Sequence, residues 1–202
     1  MTGVQTCALP ICDTDLLVGI AGISGSGSGD DLLVGDGDAN ILLGSGGDDM
    51  LRGLGGNDTL DGGAGISDTA DYSYATTGLA VTLNTSTPVT LVIGAGDTDA
   101  IVGIENIRGG SGNDTLAGMG QDNILRGNGG NDTLDGGGAS DMADYGYLST
   151  ALVATVNSSA TVTIAAGAGD TDILLSIEGL AGGSAADTLV GDAGVNTLLG
   201  NG

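Results

Sequence analysis

The sequence has no His, Lys, Phe or Trp, and only four Tyr, two Pro, two Cys and three Arg. Each shortage removes a class of protein. Without His, and with Cys7 and Cys12 both in the opening stretch, a zinc or copper centre lacks ligands. An aromatic content of 2% cannot fill a conventional core, because aromatics and large aliphatics supply most buried area. Three Arg (Arg52, Arg108, Arg126) against 26 acids leave a formal charge of −23, which excludes nucleic acid as a partner. No apolar run approaches the ~20 residues of a membrane span. The first residues also lack the basic and apolar regions of a secretory signal peptide. No Gly-x-Ser-x-Gly elbow, His-Glu-x-x-His or P-loop is present, so no enzyme is expected here. Asp36-Gly37-Asp38-Ala39-Asn40 opens like an EF-hand loop, but Ile41 stands where that loop requires Gly.

What is abundant is glycine, 42 of 202 residues, set in a nine-residue unit. Gly109-Gly110-Ser111-Gly112-Asn113-Asp114-Thr115-Leu116-Ala117 is its clearest copy, with Gly at positions one and four, Asp at six and Leu at eight. Gly53 to Asp61 and Gly127 to Asp135 repeat it. The glycines lack the three-residue period of collagen. An apolar content of 40% at fixed spacing argues against disorder. Such a period predicts a solenoid, in which stacked neighbours bury one narrow continuous core.

The unit runs from Ser26 to Ala70 with Asp31, Asn40, Asp49, Asp58 and Ser67 at position six, and Leu33, Leu42, Leu51, Leu60 and Thr69 at eight. It returns from Gly109 to Ala143 with Asp114, Asn123, Asp132 and Asp141 at six, and from Gly182 to Leu199 with Asp187 and Asn196. A longer 73-residue period lies over it, relating Asp97-Thr98-Asp99 to Asp170-Thr171-Asp172 and Ala70-Asp71-Tyr72-Ser73-Tyr74 to Ala143-Asp144-Tyr145-Gly146-Tyr147. Strand-like inserts separate the blocks: Leu79, Val81 and Leu83 alternate with polar or small residues, and Val89 to Ile93 follows Pro88. Tyr72 and Tyr74 are expected on one strand face, covering the roll by packing. Counting back nine places Gly103 at position four and Glu105 at six, with Glu178 its counterpart, so the Ile-Glu segments re-enter the roll. The expected divisions are a non-native leader at 1–12, repeats at 13–70, an insert at 71–108, repeats at 109–143, an insert at 144–181 and repeats at 182–202. The leader resembles the translation of a sequencing-adapter oligonucleotide. The final block stops inside a repeat, which predicts a longer parent protein.

Positions seven to nine read as a short strand with position eight inward, and positions one to six as a glycine-rich turn. One full coil then takes 18 residues, stacking Asp31 on Asp49, Asn40 on Asp58 and Asp114 on Asp132, with Asn123 on the opposite edge beside Glu105 or Asp141. Two carboxylates ~5 Å apart repel by roughly 3 kcal/mol at an effective dielectric of 20. Repeating that along both edges demands a cation. Ca²⁺ accepts carboxylate and backbone carbonyl oxygens in flexible geometry, whereas Mg²⁺ holds its waters and a tighter octahedron. The candidate metal ligands are therefore Asp31, Asn40, Asp49, Asp58, Glu105, Asp114, Asn123, Asp132, Asp141, Asp187 and Asn196. Asn keeps an oxygen but gives up a charge, so Asn40/Asp58 should bind more weakly than Asp31/Asp49 or Asp114/Asp132.

The nonapeptide resembles the RTX (hemolysin-type) calcium-binding repeat, Gly-Gly-x-Gly-x-Asp-x-apolar-x, and the resemblance extends over residues 13–202. It implies an all-β protein, a parallel β-roll or β-solenoid with strand inserts, binding several Ca²⁺ ions between its turns. It further implies a secreted bacterial protein, exported by a type I secretion apparatus through a C-terminal signal that this sequence does not reach, and folding outside the cell. Asp38, Gln121, Ala139 and Ala185 depart from the pattern at position four. The expected function is a calcium-triggered folding and stabilising module; the alternative is a calcium-rigidified spacer of a large surface adhesin.

Overall fold

The computed structural model describes residues 4–6, 14–16, 21–167 and 169–202, the first two segments as backbone only. Cys7, Cys12 and most of the expected leader lie outside these residues. Among the described residues every regular element is a β-strand, most of them three residues long. Short strands follow from the sequence, because glycine-rich turns leave only positions seven to nine free to extend.

The chain forms two compact units, residues 1–74 with 83–107, and residues 75–82 with 108–202. In the first, one face stacks Val4–Thr6, Gly22–Ser24, Ile41–Leu43, Thr59–Asp61 and Asp97–Val102 in parallel, and Val89–Gly94 ends the sheet antiparallel to its neighbour. The other face stacks Thr14–Leu16, Leu32–Val34, Met50–Arg52, Thr69–Asp71 and Asn106–Arg108, whose Asn106 and Ile107 belong to this unit. Leu42 pairs with Leu60 and Leu33 with Leu51, an offset of 18 residues in each case. One coil is thus two repeats, as the spacing predicts.

The second unit follows the same plan. Ala80–Thr82, Thr115–Ala117, Thr133–Asp135 and Asp170–Leu175 run parallel, with Val162–Gly167 antiparallel at the end. Ile124–Arg126, Met142–Asp144, Gly179–Ala181 and Thr197–Leu199 form its other face. Val153–Thr155 pairs separately with Thr188–Val190.

Position eight carries the core. Leu33, Leu42, Leu51, Leu60, Leu116, Leu125 and Leu134 are all essentially inaccessible to solvent. Each contributes roughly 1.5–3 kcal/mol by burial, in a file one side chain wide. Position four supplies the tight bend: Gly56 and Gly130 have φ of +113° and +116°, a region L-residues rarely enter.

Three expectations need correction. Ser67 and Thr69 do not occupy positions six and eight; Asp68 and Ala70 do, because Thr69–Asp71 pairs one residue later, Leu51 facing Ala70. The turn from Gly62 holds one extra residue, and the small Ala70 still reaches the core. Gly103 directly follows the strand Asp97–Val102, so it stands at position one of a shortened turn rather than at four. Tyr72 and Tyr74 lie in a turn after Thr69–Asp71, not on a strand. Tyr72 is buried, with its ring 6.0 Å from that of Tyr74, so the packing role holds without the strand.

Candidate metal centre

Position six is where each turn meets the next. Its side chain points into the roll beside the glycine that opens the turn, because that glycine has no Cβ. A Cβ on Gly44 would overlap both Asp49 Oδ2 and the Gly62 carbonyl oxygen, and one on Gly118 would overlap Asn123 Oδ1 and the Gly136 carbonyl oxygen. The missing methyl groups leave oxygen-lined cradles.

One carboxylate oxygen accepts the backbone N–H of the position-six residue in the coil before it. In the first unit Asp49 Oδ1 accepts from Asp31 N (2.8 Å), Asp68 Oδ1 from Asp49 N (2.7 Å) and Glu105 Oε2 from Asp68 N (2.9 Å). On the opposite edge Asp58 Oδ1 accepts from Asn40 N (2.8 Å) and Asp99 Oδ1 from Asp58 N (2.9 Å). In the second unit Leu79 N, Asp114 N and Asp132 N donate to Asp114, Asp132 and Asp172 at 2.7–2.9 Å. Asn123 N and Asp141 N donate to Asp141 and Glu178 at 2.8 and 3.0 Å. Each edge is a ladder of amide-to-carboxylate bonds.

In six of these acids the other oxygen is left over. Oδ2 of Asp49, Asp58, Asp68, Asp132, Asp141 and Asp172 is buried with no hydrogen-bond partner. A buried carboxylate oxygen without a donor is costly; the outermost acids escape it, Asp31 Oδ2 accepting from Ser26 and Asp114 Oδ2 from Gly110 N. Burial, reinforced by neighbouring carboxylates and opposed by the ladder bonds, pushes Asp49, Asp58, Asp68, Asp141 and Asp172 up to about 6 and Asp132 to about 7. Among the described residues no three acidic side chains meet at one point. The cradles combine carboxylate oxygens with backbone carbonyls, the donor set calcium accepts.

Of the candidate residues, the structure brings together Asp31 with Asp49, Asn40 with Asp58, Asp114 with Asp132, and Asn123 with Asp141. Glu105 stacks on Asp68. Asp187 and Asn196 do not meet: Asp187 accepts from Leu152 N, and the Asn196 amide donates to Asp192. Sequence reasoning missed Asp68, Asp99 and Asp172. Asp68 was hidden by the extra turn residue. Asp99 and Asp172 end the ladders from within six-residue strands, and the glycines ahead of them, Gly96 and Gly169, turn a hairpin rather than a nonapeptide coil. The available signal was Asp-x-apolar, since Ile101 and Leu174 are buried two residues later. At the end of the first unit's ladder, the second oxygen of Asp99 accepts from the Tyr72 hydroxyl at 3.0 Å.

Asp71 and Asp144, linked by the 73-residue period, pair with Arg52 and Arg126 on the strand faces. Among the described residues no helix is long and apolar enough to cross a membrane.

Comparison with known proteins agrees with this geometry. The family model for the RTX calcium-binding nonapeptide repeat matches in four copies, at residues 26–60, 34–67, 108–143 and 180–202. No curated protein matches the chain.

Proposed function

The chain belongs to the RTX calcium-binding nonapeptide repeat family, and on that footing we propose that it is a calcium-triggered folding and stabilising module of a secreted bacterial protein. The repeats are a calcium-binding structural module rather than a catalytic one. The observation that carries the reading is the row of buried, partnerless Oδ2 atoms in glycine cradles. The residues that would hold the ions are Asp31, Asp49, Asp68 and Glu105 on one edge of the first unit and Asn40, Asp58 and Asp99 on the other. In the second unit they are Asp114, Asp132 and Asp172, then Asn123, Asp141 and Glu178, with Asp187 and Asn196 in the last block. Bound calcium supplies positive charge and roughly six to eight coordination positions for oxygen. The chain's own part is to hold Asp49, Asp58, Asp68, Asp132, Asp141 and Asp172 by one oxygen and offer the second.

Without a cation, a charge of −23 opposes compaction, and the core is too narrow to overcome it. Folding and ion binding are then one linked equilibrium. Family membership supports export through a type I apparatus and residence outside the bacterial cell, where calcium is plentiful. The recurrence of the whole plan after 73 residues favours a second reading, a calcium-rigidified spacer in a surface adhesin, because tandem units add length.

Circular dichroism tests the first reading. The expected result is a largely disordered chain in EDTA that becomes β-rich in millimolar Ca²⁺ but not in equal Mg²⁺. Identical spectra in EDTA and calcium, or equal folding with magnesium, would refute it.

A further inference from the structure

The two places where the chain re-enters the roll are built alike and unlike the other turns. An ordinary turn spends six residues between strands, as Gly53 to Asp58 does before Thr59–Asp61. At re-entry only three residues, Gly103, Ile104 and Glu105, join Val102 to Asn106, and Ser176, Ile177 and Glu178 join Leu175 to Gly179. The first residue of each is left-handed, Gly103 at φ +63° and Ser176 at φ +49°. Ile104 and Ile177 are buried, filling the space that a longer turn would enclose. A turn half as long offers fewer carbonyl oxygens to a cation.

Asp68 and Asp141 nevertheless keep Oδ2 buried and partnerless at these points, both side chains almost fully inaccessible. A Cβ on Gly62 would overlap the Gly103 carbonyl oxygen and approach Asp68 Oδ2 to 2.7 Å; one on Gly136 would overlap the Ser176 carbonyl oxygen and Asp141 Oδ2. Beside each cradle stands an acid for which the nonapeptide has no use, at the end of a strand. These are Asp61 of Thr59–Asp61 and Asp135 of Thr133–Asp135. Asp61 Oδ1 lies 3.4 Å from the Cβ position of Gly103, and its charge acts on Asp68. Asp135 acts on Asp141 in the same way, with its Oδ1 buried and partnerless. The strand-end acids Asp71 and Asp144 are instead neutralised by Arg52 and Arg126.

We propose that Asp61, Asp68 and the Gly103 carbonyl form one further site for a hard divalent cation, and Asp135, Asp141 and the Ser176 carbonyl a second. In each, the strand-end carboxylate replaces carbonyl oxygens lost with the shortened turn. The proposal rests on the calcium-binding reading above and adds ligands that the repeat pattern does not supply. Each site fastens a strand end, a full turn and the re-entering segment, so the insert is fixed to its roll by the cation as well as by sheet pairing.

The experiment is residue-resolved amide exchange across a Ca²⁺ titration of the full chain. Asn106 N donates to Asp68 O (2.8 Å) and Gly179 N to Asp141 O (2.7 Å), so these amides report the two sites. Met50 N, bound to Asp31 O at 2.8 Å, reports an ordinary turn. Asp61→Asn should raise the calcium concentration that protects Asn106 about tenfold, as affinity follows ligand charge, shift Met50 of the same unit much less, and leave Gly179 unchanged. Asp135→Asn should shift Gly179 alone. Asp38→Asn, an exposed change of the same charge, should move none of the three. An unshifted Asn106 in Asp61→Asn, an equal shift at Met50, or the same shift from Asp38→Asn would each overturn the proposal while leaving calcium binding intact. Wild-type amides that ignore calcium altogether would overturn the underlying reading as well.

Discussion

In the second unit the two edges of the roll carry ladders of nearly equal geometry and unequal charge. Asp114 N reaches Asp132 at 2.7 Å, and Asn123 N reaches Asp141 at 2.8 Å. Asn123 Oδ1 accepts from Met119 N at 2.7 Å where Asp114 Oδ2 accepts from Gly110 N at 2.9 Å, so an amide oxygen in the position-six cradle serves the turn as well as a carboxylate does. The electrostatics differ. Asp132 has a carboxylate on either side in its column, Asp114 and Asp172, and after burial their charge helps push it up to about 7. Asp141 has neutral Asn123 on one side and Glu178 on the other, and burial, with Glu178 next among the charges, pushes it up to about 6. The backbone requires an oxygen at position six; only a cation requires a negative one.

The strongest way to break this comparison is to remove a side chain from each edge. Asp132→Ala leaves the Asp114 amide unpaired, costing about 1–3 kcal/mol, and deletes a charged ligand. We expect its calcium midpoint, read by circular dichroism, to rise tenfold or more, and that of Asn123→Ala to rise far less. Equal midpoints would mean the edges are equivalent. A smaller effect should separate two glycines of one turn. A Cβ on Gly127 would overlap Asp132 Oδ2, whereas one on Gly129 meets nothing within 4 Å. Gly127→Ala should weaken calcium-induced folding severalfold and Gly129→Ala hardly at all; similar losses would show that the cradle is irrelevant. Asn123→Asp should sharpen the contrast from the other side, lowering the calcium midpoint and destabilising any metal-free fold. No change in either measurement would count against charge as the difference.

The mildest expected effect is on pH dependence. These carboxyls hold protons more tightly in the folded, metal-free roll, at about 6–7, than at their ordinary 3.8. The resulting stabilisation of the metal-free fold is complete below about pH 4 and is lost as pH rises through 6–7. In chelator, β-structure should therefore be greater at pH 5 than at pH 8, and Asp132→Asn and Asp141→Asn should each flatten that profile. With calcium present, acid should raise the midpoint, since protons and ions compete for the same oxygens. A flat profile in chelator would contradict the assigned burial.

The core and the coil were legible in the sequence because both depend on spacing alone. Leu33 under Leu51 and Leu116 under Leu134 follow from counting. What counting could not reveal were changes in turn length. The extra residue before Asp68 preserves the strand and shifts only its register. The three-residue turns at Gly103 and Ser176 retain the acid but drop the glycines around it. Asp99 and Asp172 sit on strands whose partners in the roll are 40 or more residues away, so counting by nine passes over them and only the Asp-x-apolar pattern marks them. The fate of Tyr72 depends on the same contact, since its hydroxyl is held by Asp99.

Because a coil consists of two repeats offset by 18 residues, the array has a parity. Removing or adding a single nonapeptide would carry every later strand to the opposite face. Asp132 would then stack beneath residues now facing Asn123, and the acid-rich and asparagine-bearing edges would exchange columns beyond that point. Removing a pair would merely shorten the roll by one coil, about 4.8 Å along its axis. The natural increment for lengthening such a protein is therefore an even number of repeats, and an odd change must be absorbed by an irregular segment such as the hairpin of Val89–Gly94 and Asp97–Val102.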